Sequence, residues 1–457
     1  MNRIDTALAP HTLRQYALLA DGERGCVVGP RGEYAWMCFP AWDSESVFTD
    51  LLGAAGSYTV TPAHRHVWGG AYEEGTLIWR SRWVTTSSTL ECREALTFPG
   101  QPRTAILLRR LSPVHGVTPV HIALDPCRAY GRKALSALHQ SDGVWTARLG
   151  DLRVRWSGAP EAHVEKRSGR NSLVMDITVD TGAQRDLVLE LSLDPLSDVP
   201  PDASDLWSAT EGAWRTHAPH LQLACAERDA RHAYDVLRGL TSSHGGMVAA
   251  VTTSLPERAD AGRNYDYRYA WVRDQCYAGV AAAAAGGEQI LDDAVRFVGE
   301  RLLDHGDHMH PAYRADGGRV PAESDVDVPG YPGAPIVHVG NHAARQFQLD
   351  AFGEALLLLA AAARCDRLES DGWKAADAAA AAIERRWQED DAGLWELENR
   401  RWTHSRLACV AGLRGIAGVA PGAAQSRWLA LADRILADVA ASSLHPSGRW
   451  QRSPADP

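Results

Sequence analysis

The chain has 457 residues, 45% apolar and 23% charged, enough to bury a large core and to form more than one domain. Its formal net charge of -10 is spread over mixed signs, with no run of Lys or Arg to give a nucleic acid a basic face. The longest apolar run, Ala355 to Ala363, is about half of what a membrane-spanning helix needs, so no transmembrane segment is expected.

The first twenty residues interleave Arg, Asp and His among apolar positions, which is not the uninterrupted apolar stretch of a secretory signal. From about residue 25 to 200 apolar and polar residues alternate. Examples are Val120, Ile122 and Leu124, then Leu152, Val154 and Trp156, then Leu173, Met175, Ile177 and Val179, then Leu187, Leu189, Leu191 and Leu193. Period two predicts half-buried strands. Turn signals such as Ser141-Asp142-Gly143 and Asp180-Thr181-Gly182 divide them, predicting an antiparallel β-sandwich over residues 1–200. The stretch Asp194 to Asp205 concentrates proline and aspartate, and a linker over 201–221 is expected, with a short helix near 204–217.

From residue 222 to 457 the period is helical, with Ala230, Ala233, Tyr234, Leu237 and Leu240 on one face. Helices are predicted near 226–241, 273–285, 287–304, 342–364, 369–388, 404–418 and 422–442, about seven in all. The Gly-, Pro- and Asp-rich interruption at 305–341 is longer than ordinary connections, and loops of that length tend to carry function. Eight cysteines at 26, 38, 92, 127, 225, 276, 365 and 409 form no Cys-x-x-Cys pair, which predicts reduced thiols and a cytoplasmic protein. Sixteen tryptophans against six phenylalanines suit either sugar-ring stacking or core packing.

Three clusters of reactive or binding side chains stand out in the helical half. Asn264 to Asp274 holds three tyrosines, a tryptophan, two arginines and two aspartates in eleven residues. Such stacking faces and hydrogen-bonding forks suit a polyhydroxylated ligand, and equally a buried Arg–Asp pair closing a helix start. Gly393-Leu-Trp-Glu396, followed by Arg401-Trp-Thr-His-Ser405, sets a glutamate beside tryptophan. Desolvation there would favour the protonated acid, whereas an exposed glutamate in a turn after Asp390-Asp391 is the plain alternative. Glu323 through Tyr331 and then Val339 to Asp350 form the third, its polar residues 341, 345, 348 and 350 lining either a cavity or a solvated helix face.

His305, His308 and His310 match no helical ligand pair, and His338-x-x-x-His342 lacks the glutamate of a zinc protease, so no metal site is expected. No Walker loop, dinucleotide fingerprint or Gly-x-Ser-x-Gly elbow is present.

Trp36 to Ser44 with Ser46-Val-Phe48, Thr253-Ser-Leu-Pro-Glu257, Asn264 to Asp274, Gly340-Asn341 with Gln346 and Asp350-x-x-Gly-Glu354, and finally Gly393 to Glu396 with Thr403-His-Ser405 follow in order. In these motifs nearly the whole chain resembles glycoside hydrolase family 15, the glucoamylases, glucodextranases and bacterial trehalases. Ala41 and Glu45 depart from the arginine and proline often found there, and Glu398 stands where many relatives carry arginine.

The resemblance implies a β-sandwich followed by an (α/α)6 barrel with a pocket for a terminal glucose at one end. It implies that Arg273 and Asp274 grip the sugar hydroxyls, that Tyr267 and Trp271 line the same subsite, and that Trp395, Glu323 and Asn341 contribute to binding. Glu396 would be the general acid of an inverting exo-acting α-glucoside hydrolase that needs no cofactor. A glucoamylase-like enzyme releasing β-glucose is the first expectation, an α,α-trehalase the second, and a non-catalytic carbohydrate-binding member the third. About seven of twelve barrel helices are expected in this sequence, without the second carboxylate that would act as general base. The expected partners are an α-glucoside and, at most, further copies of the chain.

Overall fold

The computed structural model describes residues 10–456, apart from 220, 223–224, 259–262 and 421. Residues 1–9 of the stretch considered above as a signal lie outside that range.

The alternating segments build two antiparallel sheets of eight strands each. The first runs in space through Ala17–Ala20, Gly25–Val28, Glu33–Cys38, Ser57–Pro62, Thr118–Asp125, Arg170–Val179 and His163–Arg167, with Ser46–Phe48 paired to Glu33–Cys38. The second runs through Ser136–Ser141, Val144–Leu149, Leu152–Ser157, Arg185–Ser192, Thr104–His115, Thr89–Leu96, Trp79–Val84 and Val67–Tyr72. Val120, Ile122, Leu124, Leu173 and Met175 of the first and Leu152, Val154 and Trp156 of the second are at most 3% exposed and share one core. The alternation therefore does what period two requires: one face of each sheet is buried against the other, giving a β-sandwich. At the predicted turn, Asp142 and Gly143 both take positive φ, 49° and 77°, and join their two strands by a two-residue hairpin.

Helix α1 (Arg128–Gly131) is a single turn, and α2 (Ala203–His217) lies across the second sheet, its Trp207 donating to Asp186 and its Trp214 stacked on Phe98 at 4.0 Å. Seven helices then follow among the described residues: α3 (Glu227–Leu240), α4 (Val272–Ala285), α5 (Glu288–His305), α6 (Asp350–Arg364), α7 (Ser370–Arg386), α8 (Thr403–Ala417) and α9 (Gly422–Ser443). Neighbours pack in the manner of (α/α)6 hairpins, with a row α4–α6–α8 backed by α5, α7 and α9. Leu358, Leu359, Ile383, Leu413 and Ile435 fill the layer between the rows. No helix among the described residues is long and apolar enough to cross a membrane.

One predicted helix divides. Instead of 342–364, a 3-10 turn His342–Arg345 is followed by non-helical residues 346–349, and α6 begins at Asp350. Asn341 caps the short turn, and Leu349 sends its backbone N–H to Asp391, so these groups bond outside any helix.

The two halves are joined by the N-terminal motif. Trp36 donates to Val251 O at 2.8 Å, and Arg268 reaches Ser44 O at 3.1 Å and lies against Cys38. The long 305–341 segment spans the same seam: Gly330 N bonds Leu52 O, and Ala312–Tyr313 pairs with Ala270–Trp271 at the foot of α4. All eight cysteines are free.

Candidate active site

The site is built where α4 begins. Trp271 is its N-cap residue, and Arg273 and Asp274 stand in its first turn. The Trp271 ring is buried beside Val320 and Ala343, with the Tyr267 ring 5.4 Å away. Across from it comes the loop 392–399, whose neck is closed by paired backbone bonds between Asp391 and Arg400. Glu396 sits in this loop at φ 52°, a left-handed conformation that costs an L-residue roughly 1–2 kcal/mol. Strain of that kind persists only where surrounding contacts enforce it. Gly393, at φ 68°, turns the loop; a side chain there would meet the Trp402 ring at 2.6 Å.

Two donors converge on one oxygen of Glu396. Trp271 Nε1 donates to Oε1 at 2.9 Å, and Arg273 Nη2 lies 3.8 Å from the same atom. Arg273 is itself held by Gln348 Oε1 at 2.9 Å and faces Asp350 at 3.5 Å. Burial pushes the Asp350 and Asp274 carboxyls above the usual range, opposed by Arg273. Glu354, one turn along α6 from Asp350, is pushed up to about 8, chiefly by burial and then by Asp350. The Arg273 guanidinium thus faces more carboxyls, Asp274, Asp350 and Glu354, than its one charge can balance. Tyr267 donates a short hydrogen bond to Glu257, a residue of the Thr253–Glu257 motif.

The tryptophan that touches Glu396 is Trp271, not its neighbour in sequence. Trp395 is 77% exposed and lines a groove of about 360 Å³ with Leu397, Trp402, His404, Leu407 and Trp450. Glu398, which stands where many relatives carry arginine, is bound by Arg400 and is exposed. Asn341 is buried with both ends of its amide engaged, donating to Asp266 O and accepting from Ala343 N. Glu323 holds His342 at 3.0 Å. Within the third cluster, therefore, Gln348 and Asp350 join the site, Asn341 ties backbone, and Arg345 is exposed. His305 and His310 pack around Tyr313, while His308 lies in solvent beside Asp307. Asp391, treated at the sequence level as part of a turn, is wholly buried directly behind the Glu396 loop. An aspartate just ahead of Gly-Leu-Trp-Glu was the visible signal, but its burial was not.

The model for glycosyl hydrolases family 15 matches residues 234–455, and the model described as trehalase-like, N-terminal, matches residues 7–196. The chain belongs to glycosyl hydrolase family 15. It is accordingly a glycoside hydrolase, and the segments carrying Trp271, Arg273 and Glu396 all fall within the matched family region. Among curated relatives, this family 15 chain is 28% identical to a trehalase of Mycobacterium tuberculosis over 93% of its own length and 68% of the relative's. To a trehalase of Mycolicibacterium smegmatis it is 29% identical, covering 95% of this chain and 71% of that one. In structure it is similar to a bacterial glucoamylase complexed with acarbose, with a TM-score of 0.62 at 13% identity, over 100% of this chain and 74% of the other. That likeness is one of fold, a β-sandwich followed by (α/α)6-type helices.

Proposed function

We propose that this glycoside hydrolase cleaves α,α-trehalose with inversion, using Glu396 as general acid. The observation that carries the chemistry is the anchoring of Glu396 Oε1 by Trp271 Nε1 at 2.9 Å. Because Oε1 is taken up by the indole N–H, Oε2 is the oxygen left to carry a proton to the glycosidic oxygen. Arg273, whose guanidinium also faces Oε1, offers its fork together with Asp274 to the hydroxyls of the glucosyl unit, and Tyr267 and Trp271 supply the wall against which the ring lies. Water attacks the anomeric carbon from the opposite face as the C–O bond breaks, and trehalose plus water gives one β-glucose and one α-glucose. The carboxylate that activates this water is not assigned to any residue of the sequence.

The choice of substrate rests on the relatives: those matched along 93% and 95% of the chain are trehalases, whereas the glucoamylase likeness is at 13% identity. This favours the second of the sequence-level expectations over the first.

Incubation with trehalose, maltose and soluble starch, with the anomers followed by proton NMR, tests both parts. Trehalose should be consumed fastest, with β- and α-glucose appearing in equal initial amounts. Preference for maltose or starch would restore the glucoamylase-like alternative, and no glucose from any of the three would remove the hydrolytic reading of these sugars. Glu396→Gln should lower the rate by about 100-fold or more. Full activity in that variant would take the proton-donor role away from Glu396.

A further inference from the structure

We propose that Asp391 is the positioning residue that fixes the Glu396 carboxylate against Trp271 and Arg273; the catalytic part of this rests on the role of Glu396 proposed above. The loop that carries Glu396 is well bonded within itself. Its neck is the reciprocal Asp391–Arg400 backbone pair at 2.9 and 3.0 Å, and inside it Glu396 N bonds Gly393 O at 3.1 Å and Leu397 N bonds Ala392 O at 3.0 Å. Those bonds give the loop its shape. They do not determine where it stands relative to α4, which bears the two groups that grip Glu396.

Three of the contacts that set that placement meet at one buried atom. Asp391 is 0% exposed, and its Oδ2 accepts from three parts of the chain: Gly393 N at 3.0 Å in the loop, Leu349 N at 3.3 Å ahead of α6, and Ser405 Oγ at 2.7 Å in the first turn of α8. Arg406 balances its charge from 3.8 Å. The Leu349 contact matters most for the site, because the preceding residue, Gln348, is the one that holds Arg273. Ala392 N bonding Phe347 O at 2.9 Å doubles the link. The acid loop and the holder of the arginine are thus referred to the same carboxylate, and the left-handed φ of Glu396 is enforced from behind. Charge-assisted bonds of this kind, made to a carboxylate buried from solvent, are the ones able to hold a strained residue.

The test reads the anchoring itself. Selective 15N labelling of tryptophan gives an indole resonance for Trp271, assigned by its loss in Trp271→Phe; Glu396→Ala defines its position without the carboxylate partner. In Asp391→Ala the Trp271 resonance should move toward the Glu396→Ala position, while the resonances of Trp36, Trp83 and Trp156, buried in or behind the sandwich, stay at their wild-type positions. Asp391→Asn, which keeps an acceptor oxygen for the three donors, should return the Trp271 resonance to its wild-type position. On trehalose, Asp391→Ala should lower kcat by about 100-fold with KM changed by less than about threefold, the pattern of a displaced catalytic group.

A folded Asp391→Ala with an unshifted Trp271 resonance would overturn the proposal. Should that variant not fold, Ser405→Ala removes one of the three donors; a smaller shift in the same direction supports the positioning role, and an unshifted resonance again overturns it. The indole measurement needs no turnover, so it decides the role of Asp391 even where the assignment of substrate or of general acid fails.

Discussion

Arg268 and Arg273 lie five residues apart in the segment Asn264 to Asp274, and their surroundings differ in kind. Arg268 is wholly buried and saturated: Nε and Nη2 bond Asp266 at 2.8 and 2.7 Å, and Nη1 bonds Ser44 O at 3.1 Å. Asp266 is equally engaged, taking Gly340 N at 3.1 Å as well. Arg273 has one short bond, to Gln348, and faces Asp350 and Glu396 at 3.5 and 3.8 Å. Asp350, wholly buried, accepts no hydrogen bond from a side chain within the described residues, and the N–H groups it faces are those of its own helix turn. The first pair has spent its bonding capacity on the seam between sandwich and helices. The second retains capacity that a hydroxyl-bearing ligand can use. Residue type does not separate structure from site here; saturation does.

The contrast predicts two different failures. Arg268→Met leaves the buried Asp266 without its partner, which should cost about 3–5 kcal/mol in urea denaturation and leave little soluble protein. Arg273→Met removes one close hydrogen bond and two looser ion pairs, and Asp350, already pushed toward its protonated form, can take up a proton instead of remaining an orphan charge. A loss of about 1–2 kcal/mol is expected, with trehalose hydrolysis reduced about 100-fold. Equal destabilisation by the two substitutions would erase the distinction between a saturated and an unsaturated pair.

The sequence carried the elements through their periods, and the helix positions follow the pattern to within a few residues. Its errors fall where tertiary contacts override that pattern. Residues 342–364 have helical composition throughout, yet Asn341 and Leu349 bond to Asp266, Ala343 and Asp391 and interrupt the helix. Nor could composition separate Arg268 from Arg273, because the partners that saturate Arg268 include Ser44, more than two hundred positions earlier. The same holds for the tryptophans. Trp395 adjoins Glu396 in sequence and turns to solvent, while Trp271, 125 positions earlier, makes the contact. Adjacent residues in a tight loop point to opposite sides, so neighbourhood in sequence is a poor guide to neighbourhood in a site.

A pH comparison sharpens the contrast from the unsaturated side. Glu354 is 2% exposed; burial and Asp350 raise its carboxyl to about 8 from an ordinary 4.5, against the opposing pull of Arg273 and Tyr277. Between those two values the folded chain holds a proton that the unfolded chain releases. The corresponding stability is complete below about 4.5 and is lost as pH rises through about 8. Glu354→Gln keeps the shape of the protonated acid but cannot ionise. It should match the wild type in urea denaturation at pH 5 and exceed it at pH 9, while the declines due to Glu33 and Asp235, each raised to about 7, remain in both proteins. A parallel fall of the two curves from pH 5 to 9 would mean that Glu354 already has its neutralising partner. The acid excess around Arg273 would then be structural in the same sense as Asp266.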